Sequence, residues 1–162
     1  HNCAVLGELL PMGARVVDVG SGAGLPGLVL ACARPDLQID LVEPLQRRTD
    51  FLTEAVQILD LGDRVRVVRG RAEEPAVREQ VGSAVWITAR AVAPLERLAG
   101  WCAPLLAVGG RLVAMKGSQA QAEIDAAGPV LRRLRLTAVG VVHCGVGVVD
   151  PPTTVVVVER TR

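Results

Sequence analysis

The chain has 162 residues and a mass of 17.0 kDa, one domain of ordinary size that can bury about 70% of its unfolded surface without disulfide or metal staples. Hydrophobic residues make up 50% and charged residues 22%, which excludes a disordered chain. The net charge of +1 excludes a histone-like or strongly acidic partner logic and leaves local basic patches open.

Short β-branched runs alternate with helix-like segments, the pattern of an α/β fold with a largely parallel sheet. His1 to Leu10 reads as one helix with an abrupt start. Arg15 to Val19 is a first strand, stopped by the glycine run Gly20 to Gly27. Pro26 suits the first turn of a helix, where its missing N–H costs nothing; that helix runs to about Ala33 before Pro35. Gln38 to Val42 is a second strand, closing on Glu43. Leu45 to Leu59 is amphipathic, with Phe51, Leu52, Ala55 and Leu59 at helical spacing. Arg64 to Val68 is a third strand. Ala84 to Ala89 is a fourth, with Arg90 at its carboxyl end. Pro94 to Leu106 reads as a helix, Arg111 to Met115 as a fifth strand after Gly109-Gly110, and Gln119 to Arg133 as a helix weakened by Gly128-Pro129. Leu136 to Val142 and Thr154 to Glu159 follow with no helix between them, which suits an antiparallel hairpin across a Gly/Pro-rich loop. No repeat or low-complexity linker divides the chain, so residues 1–162 are expected to form a single domain.

No stretch reaches the roughly 18 consecutive apolar residues of a spanning helix and no leader pattern is visible, so a cytoplasmic protein without a membrane partner is expected. Cys3, Cys32, Cys102 and Cys144 are scattered, with no CxxC pair or His/Cys cluster at metal spacing, so reduced thiols and no metal are expected. The aromatic residues are Phe51, Trp86 and Trp101, too few for a base-stacking platform; both tryptophans read as core. His143, in an apolar run, reads as structural.

The central motif is Asp18-Val-Gly20-Ser-Gly22-Ala-Gly24, directly after an apolar strand. Glycines there let the backbone turn sharply and approach a ligand, and the next helix offers free N–H groups. One reading is a dinucleotide-binding GxGxxG in an NAD-dependent oxidoreductase. Gly22-Ala-Gly24-Leu-Pro-Gly27 has that spacing but begins two residues late, and in the register of Gly20 the third glycine position is Leu25. The other reading is a class I S-adenosylmethionine (AdoMet) methyltransferase, where DxGxGxG sits beside the methionine moiety. An acid at the end of the second strand, here Glu43, then accepts the ribose hydroxyls. The flanks and the two added terminal strands favour AdoMet. Asp18 is equally suited to bracing the loop and to touching the ligand.

The blocks Asp18 to Gly27, Arg71-Ala-Glu-Glu74, Thr88-Ala-Arg-Ala-Val-Ala-Pro-Leu95 and Met115-Lys-Gly117 together resemble the glucose-inhibited division protein B family, bacterial small-subunit ribosomal RNA methyltransferases acting on guanine N7. The resemblance runs from Asp18 to about Gly117 and more weakly to the C-terminus. It implies a class I, Rossmann-like fold with a seven-stranded, mostly parallel sheet and helices on both faces. It also implies AdoMet as cofactor and 16S ribosomal RNA, within the small subunit, as partner. On these positions Gly20, Gly22 and Leu25 line the methionine end, Glu43 takes the ribose, Ala72 and Glu73 flank the adenine, and Arg90 sits where cofactor and target base meet. Family members carry an N-terminal helical segment that this chain nearly lacks. Another AdoMet methyltransferase, acting on a protein or small molecule, and a non-catalytic AdoMet- or RNA-binding module stay open as alternatives.

Guanine N7 carries a free lone pair, so the chemistry needs no general base and none is assigned; alignment and electrostatic preorganisation suffice. Arg90 is a candidate for orienting the cofactor or the guanine. The basic candidates for RNA phosphates are Arg47-Arg48, Arg64/Arg66/Arg69/Arg71, Lys116 and Arg132/Arg133/Arg135, with Arg47, Arg48 and Lys116 preferred because they fall near strand ends on the cofactor side.

Overall fold

The computed structural model describes residues 2–90 and 93–162. His1 of the expected opening helix, and Ala91 and Val92 of the Thr88 to Leu95 block, lie outside the described residues. Among the described residues seven strands form one sheet in the order β3-β2-β1-β4-β5-β7-β6. They are β1 (Arg15–Val19), β2 (Gln38–Glu43), β3 (Val65–Arg69), β4 (Ala84–Ala89), β5 (Leu106–Met115), β6 (Leu136–Cys144) and β7 (Thr153–Arg160). The first five run parallel. β7 inserts antiparallel between β5 and β6, closing the expected hairpin.

Among the described residues five α-helices connect the strands: α1 (Gly27–Ala33), α2 (Gln46–Ile58), α3 (Pro75–Val81), α4 (Leu95–Cys102) and α5 (Ala120–Arg133). Successive side chains of a strand point to opposite faces, and the core divides accordingly. Val17, Ile87 and Leu112 pack with Val77, Leu98 and Leu131 of α3, α4 and α5. Val16, Ile39 and Val113 pack with Leu30, Leu52 and Val56 of α1 and α2. A parallel sheet needs both faces covered, and the near-continuous apolar strands record this.

Several expectations need correcting. The opening segment is a 3-10 turn, Ala4–Leu9, rather than one helix over ten residues; Pro11 prevents its continuation. The buried stripe of α2 is Thr49, Leu52 and Val56, while Phe51 and Leu59 are 50% and 48% exposed. α4 ends at Cys102, because Pro104 cannot extend it, and β5 takes up Leu106. α3 falls where the sequence pattern assigned no element, since seven residues with Val77 and Val81 inside carry little periodicity. α5 runs unbroken through Pro129.

At the amino end of the strands, Asp40 is held between two arginines. Arg15 donates to its Oδ2 at 2.8 Å and Arg66 donates to Oδ1 and Oδ2 at 3.1 and 2.9 Å. Arg64 donates to the carbonyls of Ala31 and Arg34 at the end of α1. These two candidates for RNA contact are thereby engaged within the protein.

Candidate functional site

The carboxyl ends of β1, β2 and β3 open into a cleft of about 170 Å³ lined by Gly20, Glu43, Leu45, Arg48, Ala72 and Trp101 among others. This is the crevice beside the switch in strand order, where β1 is flanked by β2 and β4 and successive connections leave on opposite faces. The loop after β1 turns on Gly20, Gly22 and Gly24, with φ of +70°, +54° and +95°, a left-handed backbone that side chains resist. The N–H groups of Gly20 and Ser21 both donate to the Val42 carbonyl, at 2.9 and 3.1 Å. That tethers the loop to β2.

Glu43, at the end of β2, completes the tether. Its Oε1 accepts from the Gly22 N–H at 3.0 Å and its Oε2 from the Leu45 N–H at 2.8 Å. Arg48 Nη1 lies 3.8 Å from Oε1. The side chain is 2% exposed, yet the residue lines the cleft. Each carboxylate oxygen has further acceptor capacity, so Glu43 can hold the loop and also accept a pair of ligand hydroxyls.

Asp18 serves the loop from behind. It faces Thr88 across the β1–β4 ladder and is fully buried. Thr88 Oγ1 donates to its Oδ1 at 2.8 Å and the Gly27 N–H to its Oδ2 at 3.1 Å. Asp18 therefore braces the entrance of α1, and of its two possible roles the structure gives it this one. Burial pushes its carboxyl up to about 6, against the lowering effect of the hydrogen bonds from Thr88 and around the loop. A side chain at Gly27 would displace its neighbours, since a Cβ would collide with the side chains of Leu41 and Asp18.

Of the sequence-derived site residues, Gly20, Glu43, Ala72 and Glu73 line the cleft together. Ala72 is buried and Glu73 exposed, on the turn before α3. Gly22 is joined to the site through Glu43. Leu25 is half-buried beyond the glycine turn, its N–H donating to the Ser21 carbonyl at 3.2 Å. Arg90 is exposed just past β4, near Cys3. Its charge partly offsets the burial that raises the Cys3 thiol. Neither Leu25 nor Arg90 lines this cleft.

Two cleft residues were assigned elsewhere by the sequence. Trp101 packs against the core as expected and also forms a wall of the cleft. The signal was available: Leu95, Leu98, Ala99 and Cys102 form the buried stripe of α4, and Trp101 sits at its edge, where a large aromatic has one face left over. Arg48, nominated for RNA phosphate, lies over the glycine loop beside Glu43. Lys116 is a correction. Its Nζ is 2.6 Å from the Ala93 carbonyl and 3.0 Å from Glu123 Oε1, with 2% side-chain exposure. A lysine so enclosed ties β5 to α5 and offers nothing to RNA. Cys102 is fully buried, and burial together with the Glu73 charge raises its thiol far above the usual range, which makes it inert.

The GidB family model, described as rRNA small subunit methyltransferase G, matches residues 1–147. The ribosomal RNA small subunit methyltransferase G of Salinispora arenicola (strain CNS-205) is 61% identical over 99% of this chain and 68% of its own length. That of Mycolicibacterium gilvum (strain PYR-GCK) is 54% identical over 96% of this chain and 68% of its own length. Among solved structures, mitomycin 7-O-methyltransferase MmcR superposes with a TM-score of 0.73 at 17% identity, covering 98% of this chain and 53% of that one. Precorrin-6y C5,15-methyltransferase from Geobacter metallireducens GS-15 gives 0.67 at 14% identity, covering 98% and 86%. At these identities the likeness is one of fold, that of class I methyltransferases.

Proposed function

We propose, since this chain belongs to the rRNA small subunit methyltransferase G family, that it binds AdoMet in the Glu43 cleft and methylates N7 of a guanine in 16S ribosomal RNA. The observation that carries the cofactor assignment is the convergence of the Gly20 loop, the Glu43 carboxylate and the Ala72-Glu73 turn on one cleft. The donors and acceptors suit AdoMet. A carboxylate with spare lone pairs matches two ribose hydroxyls, a left-handed glycine turn leaves room for the methionine end, and Trp101 and Ala72 supply apolar walls for a flat base. Family membership favours this over a dehydrogenase built on the same topology.

AdoMet, when bound, supplies a methyl group already activated toward a nucleophile. The residues of this chain bind and align. Glu43 orients the ribose while holding Gly22 in place. Asp18 and Thr88 keep the loop rigid from within the core. Arg90, past β4 and outside the cofactor cleft, orients the incoming guanine by donating to O6, since the N7 lone pair must stay free to attack the methyl group. No residue takes a proton, because N7 has none to lose. The rate then depends on in-line positioning. The reading extends to a cytoplasmic protein acting on the small ribosomal subunit, with residues 1–162 as one methyltransferase domain; among the described residues no helix is long and apolar enough to cross a membrane.

The test is transfer of labelled methyl from AdoMet to 16S rRNA, free and in 30S subunits, with the product mapped by chemical cleavage specific for N7-methylguanine. Incorporation at one guanine is expected. Saturable AdoMet binding with label appearing on protein or small molecules instead would overturn the substrate assignment.

A further inference from the structure

The arginines are unevenly spread. Arg132 and Arg133 end α5, Arg135 follows with φ of +60°, Arg160 ends β7 and Arg162 lies just beyond it. Two neighbouring shallow clefts sit here, one lined by Arg132, Arg135 and Arg162 and the other by Arg133, Arg135 and Arg160, with no Asp or Glu among the lining residues. None of the five joins an ion pair among the described residues. Arg160 is fixed by donating to the carbonyls of Ala103 and Leu106, at 2.7 and 3.0 Å. Arg132, Arg133, Arg135 and Arg162 are exposed. In a chain of net charge +1, five arginines outside any ion pair in one place constitute a strong local field.

The register locates the cluster. Leu136 pairs with Arg160, Glu159 with Arg111 and Leu106 with Ala84. The cluster therefore stands at the amino end of the parallel strands, opposite the cofactor cleft. A strand the length of β1, five residues, spans about 17 Å at roughly 3.3 Å per residue, so the two sites are at least that far apart.

We propose that this arginine cluster is a second RNA contact, gripping phosphates of the folded substrate away from the target base; the inference rests on the rRNA methyltransferase reading. Its chemistry is that of phosphate recognition. The guanidinium forks match phosphate oxygens, and no aromatic lies beside them to stack a base, so the contact is with backbone and positions the RNA without reading sequence. An anionic membrane is the poorer partner, since surface insertion needs large exposed apolar side chains, and of the leucines lining these clefts Leu134 is half-buried and Leu136 buried. A folded RNA can reach both ends of the sheet. A short oligonucleotide that fills only the cofactor-side opening cannot.

The test is a triple variant, Arg132→Gln, Arg133→Gln and Arg135→Asn. Gln keeps helix propensity and Asn tolerates the left-handed backbone. Arg160 is left alone because it holds carbonyls. The control is Arg97→Gln, which removes an exposed charge near the start of α4, at the other end of the sheet. Binding of folded 16S rRNA is measured against salt. The slope of log affinity against log salt should fall by about 1 for each phosphate-contacting arginine removed, with affinity lowered about 10-fold or more, while AdoMet affinity and binding of a short oligonucleotide stay unchanged. A slope equal to that of the control variant, or loss of binding to anionic vesicles with none to rRNA, would overturn the proposal. Methylation by the unaltered protein, measured alongside, reads the functional assignment separately from this surface.

Discussion

Asp18 offers a sharp test of how the site is built. Its carboxyl is fully buried and held at about 6, against 3.8 for an ordinary aspartate. It binds its proton more tightly in the folded protein than in the unfolded chain. The penalty for ionising it in place is absent below about pH 4 and complete above about pH 6. Integrated over that window it is about 3 kcal/mol, from 1.36 kcal/mol per pH unit. Asp18→Asn removes the titration and keeps the shape. The Asn carbonyl can accept from Gly27, and its amide can donate to Thr88, whose hydroxyl turns to accept. Relative to the parent, Asp18→Asn should therefore gain up to about 3 kcal/mol in unfolding free energy between pH 4 and pH 7. Asp18→Ala strands both partners, at about 1–3 kcal/mol each, and should be destabilised at every pH. The assay is urea unfolding of the three proteins from pH 4 to 7. A stability difference between Asp18→Asn and the parent that does not change with pH would refute the reasoning, since it would mean Asp18 titrates alike in both states.

Other substitutions probe the remaining parts. Glu43→Gln can accept only one of the Gly22 and Leu45 N–H bonds, and calorimetry should show AdoMet binding weakened about 10- to 100-fold, the equivalent of about 1–3 kcal/mol; unchanged affinity would remove Glu43 from the site. Trp101→Ala should raise the AdoMet dissociation constant and also lower thermal stability, because the ring serves both cleft and core; loss of stability alone would confine it to the core. Lys116→Ala leaves Glu123 without its cation and should cost about 2–3 kcal/mol in urea unfolding, below the roughly 3–5 of a fully buried pair because Glu123 keeps 26% exposure. RNA binding by a folded Lys116 variant should be unaffected. Gly27→Ala should cost about 1–3 kcal/mol by overpacking against Leu41 and Asp18.

Local chemistry determined much of this protein before any folding. β1 and β4 have the ends read from the sequence, Arg15–Val19 and Ala84–Ala89, because an apolar β-branched run stopped by glycine or charge is its own boundary marker. The glycine turn and the acid closing β2 were legible for the same reason. A left-handed backbone requires glycine, and a charge at the end of a buried strand stands out. What periodicity could not decide was which apolar residues meet the core. Phe51 and Leu59 have helical spacing, yet α2 packs through Thr49, Leu52 and Val56, since the sheet selects the face. Nor could sequence assign the charges. Lys116 and Arg48 both fall near strand ends, but the approach of α5 buries one against Glu123 and the first turn of α2 sets the other over the loop beside Glu43. Trp101 reaches the cleft only because α4 packs against α5 and β5. The arginines of α5 and β7 become one surface only because β7 folds back between β5 and β6. Each of these depends on contacts between residues far apart in the chain, which the sequence alone does not bring together.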